Sequence, residues 1–355
     1  MRNIALASDD NFAIPLKVAI YSYFKSNPES TRVHVLFESL SEEHLDSLRM
    51  IASRISPDSE IVAHKVDPGK FEQRDDCSVT STATCVRYLI PEIIQDCDTV
   101  LYLDSDLVVV GDLGGIFALD LSDNLIAGVR DRYVSTTPWG AELQRKFGVK
   151  NYVNAGVLLM NLRNMRREEA TSRFLELDVK NKFPYRDQDV INVACSGGVL
   201  CVDRKYNDFI FDGDASSCIL HFAGKYKPWY AKSNKFQAVW WKNFDEMAEL
   251  FGNKASLLLQ MPVPNLFDAD DQIKASFDRF IEGLGDAEEV VTQRWSLIKT
   301  LLGIFVSQDK SSIILSSYIG CFIRLISQGE FERRVFFGTY SFCRFLWRIK
   351  RKLKH

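Results

Sequence analysis

The 355-residue sequence lacks the glycine-rich loops by which dehydrogenases and P-loop enzymes hold phosphate. It contains neither a Gly-x-Gly-x-x-Gly motif after its first apolar run nor a Walker A loop, which argues against both classes. No ordered set of Ser, His and acid and no Cys and His pair indicates nucleophilic hydrolysis. Internal repeats and low-complexity segments are also missing. With 46% hydrophobic residues, the chain can form one large α/β domain with an appendage, which excludes a disordered or fibrous protein.

Features of exported and membrane-spanning proteins are missing too. The eight cysteines include no Cys-x-x-Cys pair, and several lie in apolar strand-like runs, where a thiol behaves as a small hydrophobe. Residues 1–10 reach two acids after a few apolar residues, so they lack a signal-peptide core. The longest apolar stretch, residues 313–323, is interrupted by serines and a glycine and is shorter than the ~20 residues of a spanning helix. We therefore expect a cytoplasmic protein without a transmembrane segment.

Positive charge is concentrated at one end of a chain whose net charge is −3. Residues 333–355 contain eight Lys or Arg and no acid, so the remainder is strongly acidic. In this tail Phe342, Phe345, Ile349 and Leu353 recur at spacings of three and four. The pattern predicts a basic helix that lies on a membrane surface; the alternative is a helix packed on the main domain. The acidic body would oppose nucleic-acid binding.

Short apolar runs alternate with helical patterns along most of the chain. The predicted strands cover residues 4–7, 33–37, 61–66, 100–103, 125–129, 153–162, 199–202 and 218–222. The predicted helices cover residues 15–25, 42–53, 83–94 and 166–179, and a further helix starts at Asp187. This alternation predicts an α/β fold in which a mostly parallel sheet carries helices on both faces.

The alternation stops after an aromatic cluster at residues 236–244. Residues 262–265, Pro-Val-Pro-Asn, predict a break in the chain's regular structure. We therefore predict a main domain at residues 1–250 and a mainly helical C-terminal region at residues 251–355, which includes the basic tail.

A pair of acids follows the fourth predicted strand. In open α/β sheets, ligands bind at the carboxyl ends of the strands. Asp104 and Asp106, separated by Ser105, can both turn towards one hard cation if the backbone bends there. Oxygen ligands suit magnesium or manganese; a surface turn is the alternative. Asp9 follows the first predicted strand and should open onto the same crevice.

His221 lies at the end of another apolar run and precedes Gly224, Lys225 and Lys227. Gly224 would let the backbone approach an anion closely, and the two lysines would supply positive charge. Since imidazole suits transition metals, a site of two carboxylates, one imidazole and a diphosphate favours manganese over calcium. A structural histidine is the alternative.

Two further polar segments have weaker patterns. Small residues at Asn154-Ala155-Gly156 would allow a ligand to lie against the backbone, although a strand that follows a tight turn explains them equally. Asp187, followed by Gln188, begins a helical pattern, so it is either a sugar-binding carboxylate or a helix N-cap.

Six segments occur together and in a characteristic order: Ala-Ser-Asp-Asp-Asn-Phe at 7–12, Thr-x-x-Arg-Tyr at 84–88, Tyr-Leu-Asp-Ser-Asp at 102–106, Asn-Ala-Gly-Val-Leu-Leu-Met-Asn at 154–161, Asp-Gln-Asp at 187–189 and His-Phe-Ala-Gly-Lys-Tyr-Lys-Pro-Trp at 221–229. This combination resembles glycosyltransferase family 8, and within it the bacterial lipopolysaccharide α-galactosyl- and α-glucosyltransferases. The resemblance covers residues 1 to about 250. Ser8 stands where relatives often have Ala, a change that we expect to be tolerated.

The resemblance implies a GT-A fold and retaining transfer of a hexose, glucose or galactose, from a UDP-sugar. It also implies roles for individual residues: Asp104, Asp106 and His221 as ligands of Mn²⁺, with Mg²⁺ as the alternative; Gly224 and Lys227 at the diphosphate; Ala7, Asp9 and Asn11 at uridine; Arg87, Asn154, Ala155, Asp187 and Gln188 around the donor sugar; Ser105 in the same nucleotide-sugar site; and Asp131 on the acceptor side. The implied acceptor is a lipid-linked lipopolysaccharide core oligosaccharide at the inner membrane, where the basic tail would attach the enzyme peripherally.

Retention usually indicates a carboxylate nucleophile about 5 Å from its partner acid. The matching position here is Gln188, which is a poor nucleophile. We therefore hypothesise front-face attack by the acceptor hydroxyl, in which a UDP phosphate oxygen takes the proton and Gln188 supports an oxocarbenium-like transition state. Asp131 and Asp187 complete the predicted catalytic set.

Two other functions compete with this prediction. A sugar nucleotidyltransferase also pairs acids around a metal, but it would have a glycine-rich, basic loop after the first strand, where this chain has the acidic sequence Ser-Asp-Asp-Asn. The second is an inactive carbohydrate-binding protein at the membrane surface. The intact set of Asp104, Asp106 and His221 argues against it.

Overall fold

The computed structural model describes residues 1–67, 69, 82–209, 216–224, 227–229, 235–252, 254, 257 and 260–262. The chain divides into two units, one of Met1–Pro228 with Ser233–Leu250 and one of Trp229–Lys232 with Phe251–His355. The predicted basic tail at residues 333–355 lies outside the described residues, as does most of the predicted helical region. No helix among the described residues has the length and apolar character needed to span a membrane.

Nine strands occur in the described part of the chain. They are β1 (Arg2–Ser8), β2 (Thr31–Phe37), β3 (Glu60–Lys65), β4 (Thr99–Leu103), β5 (Leu107–Val109), β6 (Ile126–Arg130), β7 (Val153–Asn161), β8 (Val199–Val202) and β9 (Ile219–His221).

Eleven α-helices occur in the same described ranges. They are α1 (Ala13–Ser26), α2 (Glu42–Ile55), α3 (Thr82–Cys85), α4 (Ile90–Ile93), α5 (Gly114–Phe117), α6 (Arg132–Ser135), α7 (Pro138–Phe147), α8 (Leu162–Arg167), α9 (Ala170–Lys180), α10 (Arg186–Ala194) and α11 (Lys235–Glu249). Short 3₁₀ turns add Asp10–Phe12, Val86–Leu89 and Arg204–Tyr206.

The main sheet has seven strands in the order β3-β2-β1-β4-β7-β6-β8. Neighbours are parallel except that β7 runs antiparallel to both β4 and β6. The predicted mostly parallel α/β sheet is therefore confirmed, with one reversed strand inside it. β5 and β9 form a separate antiparallel pair.

Successive side chains of a strand alternate between the two faces of a sheet, and in the central strands β1, β4 and β7 both faces are largely buried. Ala5, Tyr102 and Leu158 belong to an apolar cluster that also contains residues of α9 and α10. Their neighbours Ile4 and Leu101 point to the opposite face and are also fully buried. Helices cover the two faces, and the strand ends remain available for a site.

Two predicted helices are divided in the structure. Residues 83–94 form α3, a 3₁₀ turn and α4, where Pro91 lies in the first turn of the last piece. Residues 166–179 are split between α8 and α9 because Glu169 adopts a left-handed conformation with φ of 51°. A backbone in that region cannot continue a right-handed helix.

Candidate metal and nucleotide-sugar site

The acidic pair lies in the turn that connects β4 to β5. The backbone N–H of Asp104 donates to the carbonyl of Gly156 at the start of β7 (2.8 Å). Asp106 is buried, and its own carbonyl accepts a hydrogen bond from the N–H of Phe222 (2.9 Å). Two backbone contacts from distant segments thus fix the bend that directs both carboxylates inward.

The short β5–β9 ladder brings His221 to this turn. Its register places His221 opposite Leu107, which directly follows Asp106. Nε2 of the imidazole lies 3.2 Å from Oδ1 of Asp106 and 3.7 Å from Oδ2 of Asp104. One ligand atom from each of the three side chains can be chosen so that all lie within 4.8 Å of one another. The structure therefore brings together the three predicted metal ligands, although it contains no ion.

The donor set fits a divalent cation in two further respects. Among the described residues, the buried Oδ1 of Asp106 has no hydrogen-bond partner, a costly arrangement for a carboxylate unless a cation satisfies it. Gly156 also leaves a cradle: a Cβ there would lie 2.2 Å from Cε1 of His221 and 2.7 Å from Oδ2 of Asp104. Two carboxylates and one imidazole suit a divalent cation, and the imidazole favours a transition metal over Ca²⁺, which prefers more oxygen ligands.

A lysine pairs with the acidic turn. Nζ of Lys227 contacts Oδ2 of Asp106 and donates to the carbonyl of Phe222 (2.9 Å). Burial would raise the pKa of the Asp106 carboxyl, but Lys227 and then His221 outweigh it and hold that pKa well below its ordinary value. Gly224, with φ of 73°, is exposed, and no described atom lies within 4 Å of where its Cβ would be. Lys225 lies outside the described residues.

Arg87 connects the acidic turn to the start of α10. Its guanidinium donates to Oδ1 of Asp104 (2.9 Å) and to the carbonyl of Ala155 (2.8 Å), and Nε lies 3.3 Å from Oδ2 of Asp187. Burial raises the pKa of Asp187 to about 6 against the opposing effect of Arg87. The N-cap of α10 is Tyr185, so the alternative that Asp187 caps the helix is wrong.

The remaining predicted sugar-site residues form a connected polar row. Oε1 of Gln188 accepts from Nδ2 of Asn154 (3.0 Å) and from the N–H of Ala155 (3.1 Å). Its Nε2 donates to Oδ2 of Asp131 (3.3 Å) and to the hydroxyl of Tyr152 (3.2 Å). Asp131 is the N-cap of α6 and accepts from the N–H of Val134 through its other oxygen. Both ends of the Gln188 carboxamide are thus held.

The predicted uridine residues lie at the end of β1 and in the turn after it. Ser105 Oγ donates to the carbonyl of Ala7 (3.0 Å), which connects this strand end to the acidic turn. Asp9 caps the following 3₁₀ turn through a hydrogen bond from the N–H of Phe12 (3.0 Å). Asn11 lies in that turn and is exposed.

Several polar residues that contact the site were not predicted from the sequence. The hydroxyl of Tyr102 donates to Oδ1 of Asp104 (2.7 Å), and Nδ1 of His221 lies 2.9 Å from Oδ1 of Asn207. Arg186, with φ of 25°, begins α10 and forms a buried two-bond ion pair with Asp178. The tyrosine beside Asp-x-Asp at the end of β4 was the one available signal; no sequence pattern connects Asn207 with His221 or Asp178 with Arg186.

This arrangement is an α/β sheet with two carboxylates after its strand β4 and an imidazole that the β5–β9 ladder brings beside them, and it defines a GT-A type of protein. The family profile described as "Glycosyl transferase family 8" matches residues 3–233. The chain belongs to that family, so the predicted resemblance is confirmed.

Individual relatives agree with the assignment. A lipopolysaccharide 1,3-galactosyltransferase of Salmonella typhimurium is 27% identical over an alignment of 248 residues, and the match covers 64% of this chain and 73% of the relative. The glycosyltransferase GlyE of Streptococcus pneumoniae is 26% identical over 68% of this chain and 60% of its own length. Among solved structures, the galactosyltransferase LgtC in complex with donor and acceptor sugar analogues is 28% identical, with a TM-score of 0.56, over 71% of this chain and 95% of LgtC. The chain is thus similar to glycosyltransferases, and the GT-A fold is confirmed.

Proposed function

We propose that this chain is a retaining hexosyltransferase that moves galactose or glucose from a UDP-sugar to a lipopolysaccharide core oligosaccharide and forms an α-glycosidic bond. Family membership supports glycosyl transfer over the alternative of nucleotidyl transfer. The acceptor class rests on the name of the Salmonella relative. Because GlyE is almost as similar and its name states no acceptor, the acceptor needs its own experiment.

The observation that carries the proposal is the unpartnered Oδ1 of Asp106. It lies 3.2 Å from Nε2 of His221, and among the described residues it has no hydrogen-bond partner. A carboxylate oxygen and an imidazole nitrogen held this close favour a shared cation. Asp104, Asp106 and His221 would hold Mn²⁺, with Mg²⁺ as the alternative. Bound there, the cation supplies positive charge that stabilises UDP as it departs.

Residues of the chain would bind the diphosphate and the uridine of the donor. Lys227, together with the exposed backbone at Gly224, would bind the diphosphate, and Lys227 would then exchange its contact with Asp106 for a phosphate oxygen. The end of β1 and the turn after it, with Ala7, Asp9 and Asn11, would bind uridine. The hydrogen bond from Ser105 to the carbonyl of Ala7 would then set the distance between the uridine and diphosphate subsites.

The sugar would lie along the row formed by Arg87, Asn154, Ala155, Asp187 and Gln188. Arg87 is buried and paired with acids on two sides, so it orients the sugar without rearranging. Front-face attack by the acceptor hydroxyl needs no protein nucleophile. A phosphate oxygen of UDP would take the acceptor's proton, and the dipole of the held Gln188 carboxamide would support the oxocarbenium-like transition state.

Asp131 would face the acceptor. Its Oδ2 accepts from Gln188 (3.3 Å), and this contact supports a role for the carboxylate beside the proposed reaction centre. It would orient the attacking hydroxyl by a hydrogen bond, and positioning of this kind accounts for a large share of catalysis in transfer reactions.

Release of UDP from a panel of UDP-sugars tests the enzyme class and the donor together. The assay compares Mn²⁺ with a chelator, and the unaltered chain with Asp106→Ala and, as a matched control, the exposed Asp46→Ala. We expect Mn²⁺-dependent release of UDP from one UDP-hexose. Asp106→Ala should abolish this release, and Asp46→Ala should leave it unchanged. No release from any UDP-sugar, with oligosaccharide acceptors present, would refute the proposal and favour an inactive binding protein.

The stereochemical part has its own test. The anomeric configuration of the product is measured by proton NMR, and Gln188→Ala is expected to reduce turnover strongly. An inverted product, a covalent glycosyl-enzyme on Asp187, or full turnover without the Gln188 carboxamide would contradict the front-face mechanism.

Membrane attachment by the basic tail is a separate part of the proposal and places the enzyme at the cytoplasmic face of the inner membrane. Deletion of residues 333–355 is expected to abolish binding to vesicles that contain anionic lipid, while UDP release in solution persists. Equal vesicle binding with and without the tail, measured by co-sedimentation, would contradict it.

A further inference from the structure

A row of side-chain amides runs from the candidate cation site towards α10, and two backbone groups fix its polarity. Oδ1 of Asn154 accepts from the N–H of Gly156 (3.0 Å), and Oε1 of Gln188 accepts from the N–H of Ala155 (3.1 Å). A backbone N–H can only donate, so the oxygen of each carboxamide must make these contacts. The orientation of both amides therefore follows from the hydrogen-bond network.

The polarity continues to the imidazole. Because Oδ1 of Asn154 is an acceptor, Asn207 must present its Nδ2 to that oxygen, at 2.8 Å. Asn207 then presents Oδ1 to Nδ1 of His221, at 2.9 Å. An amide oxygen only accepts, so Nδ1 carries a proton whether the imidazole is neutral or charged. Nε2 is consequently the nitrogen that becomes free, and it is the one that faces Asp104 and Asp106.

Asn207 has little freedom to make another arrangement. It is fully buried and follows the 3₁₀ turn at Arg204–Tyr206. The next residue, Asp208, donates through its N–H to the carbonyl of Ile219 and accepts from the N–H of His221, both at 3.0 Å. The backbone at Asn207 is thus held beside β9, and its side chain remains opposite the imidazole.

We propose that Asn207 is a positioning residue: its oxygen keeps the proton of His221 on Nδ1 and so presents Nε2 to the cation, and its nitrogen ties that imidazole to Asn154 and Gln188. The inference rests on the proposed function, because it assigns the cation to Nε2. It also couples the cation site to the reaction centre, because the same amide row contacts His221 at one end and Gln188 at the other. Partners of this kind typically change metal affinity 10- to 100-fold.

Two substitutions separate the roles of the two ends of Asn207. Asn207→Leu has a similar size and removes both contacts. Asn207→Asp keeps an acceptor for Nδ1 of His221 but cannot donate to Asn154. Asn27→Leu is the matched control, because Asn27 is also fully buried and hydrogen-bonds elsewhere, to the N–H of Leu113 (2.8 Å).

The first readout is independent of activity. The full chain, free of metal and labelled with nitrogen-15 histidine, is examined by NMR; the chain has five histidines, and the signal of His221 is assigned by its loss in His221→Ala. We expect the Nδ1–H form in the unaltered protein and in Asn207→Asp. Asn207→Leu should lose this preference. A proton on Nε2 alone in the unaltered protein would overturn the proposal.

The second readout is Mn²⁺ affinity by electron paramagnetic resonance, with thermal unfolding measured in parallel. Asn207→Leu is expected to bind Mn²⁺ about 10- to 100-fold more weakly, whereas Asn207→Asp and Asn27→Leu keep their affinity. Asn207→Asp should nevertheless turn over more slowly, because Asn154 loses a donor. Unchanged affinity in Asn207→Leu would overturn this inference alone, while a failure of the unaltered chain to bind Mn²⁺ would refute the proposed function.

Discussion

The space beside Gly156 should decide whether the cation site can form. Replacement by Ala adds a Cβ that would lie 2.2 Å from Cε1 and 2.9 Å from Nδ1 of His221, and 2.7 Å from Oδ2 of Asp104. The contact atoms belong to a buried imidazole in the β5–β9 ladder and to a carboxylate held by Arg87 and Tyr102. Neither side chain can simply turn into solvent.

The size of the effect follows from these distances. Carbon atoms need about 3.5 Å, so the imidazole of His221 must retreat by about 1.3 Å. Metal ligands tolerate deviations of only about 0.2 Å, and a misplacement of about 1 Å at an active site typically costs about 100-fold. We therefore expect Gly156→Ala to weaken Mn²⁺ binding about 100-fold, equivalent to ~2.7 kcal/mol. Overpacking should also lower the free energy of unfolding by about 1–3 kcal/mol.

The assay compares this variant with one that is overpacked elsewhere. Gly128→Ala would place its Cβ 2.9 Å from Cδ2 of Leu158 and 3.1 Å from Cβ of Val153, between β6 and β7. Both variants should lose stability in urea titrations, but only Gly156→Ala should lose Mn²⁺ affinity and UDP release. Mn²⁺ affinity of Gly156→Ala within about threefold of the unaltered chain would refute the assigned site, since that difference is under ~1 kcal/mol.

Three further predictions concern groups around the site and in the core. Tyr102→Phe removes one of the two donors to Oδ1 of Asp104, so Mn²⁺ affinity, measured by electron paramagnetic resonance, should fall about five- to tenfold, or ~1–1.4 kcal/mol. Asp178→Ala removes the two-bond ion pair of the buried Arg186 and should lower the free energy of unfolding in urea by about 3–5 kcal/mol, whereas Leu and Met at the two positions together should cost less. Burial, with a smaller effect of a neighbouring imidazole, lowers the pKa of His34 to about 4; since the unfolded state then binds more protons, stability should fall as the pH drops from about 6.5 towards 4.

Each of these predictions has a control and a contradicting result. Tyr23→Phe is the control for Tyr102→Phe, because it removes a buried hydroxyl that bonds to Thr31. If Tyr23→Phe lost as much Mn²⁺ affinity, the effect of Tyr102→Phe would not come from its hydrogen bond to Asp104. A double Asp178/Arg186 variant that is less stable than Asp178→Ala would contradict the argument that the cost comes from breaking the ion pair of a buried charge. If His34→Gln loses as much stability as the unaltered chain between about pH 7 and pH 5, the acid sensitivity arises elsewhere.

Much of the fold could be predicted because its first half repeats one simple unit. Each of the strands β1 and β2 is followed by a helix with an apolar face, and this pattern specifies parallel neighbours. The direction of β7 could not be predicted. Val153–Asn161 is buried almost throughout, and an apolar run that is covered on both faces is compatible with either direction.

The candidate site divides in a similar way. Asp104, Asp106 and His221 could be selected from the sequence because each ends or follows an apolar run, and such ends gather at one edge of a sheet. Arg87 and Lys227 could be selected by resemblance, but the amide that contacts the imidazole could not. Asn207 contacts Asn154 across 53 residues of chain, and Asn207 has no sequence pattern that distinguishes it from any other polar loop residue.

The reversal of β7 also explains why a motif at the beginning of a strand joins motifs at the ends of others. In the antiparallel register Leu103 lies opposite Val157. The next residue on each strand is Asp104 and Gly156, so these two lie side by side, and Ala155 and Asn154 follow. A parallel β7 would instead place its last residues, Met160 and Asn161, beside Asp104. Asn154 would then lie about 20 Å away at the opposite edge, at roughly 3.3 Å per residue. The single reversed strand therefore assembles the cation site and the amide row at one edge of the sheet.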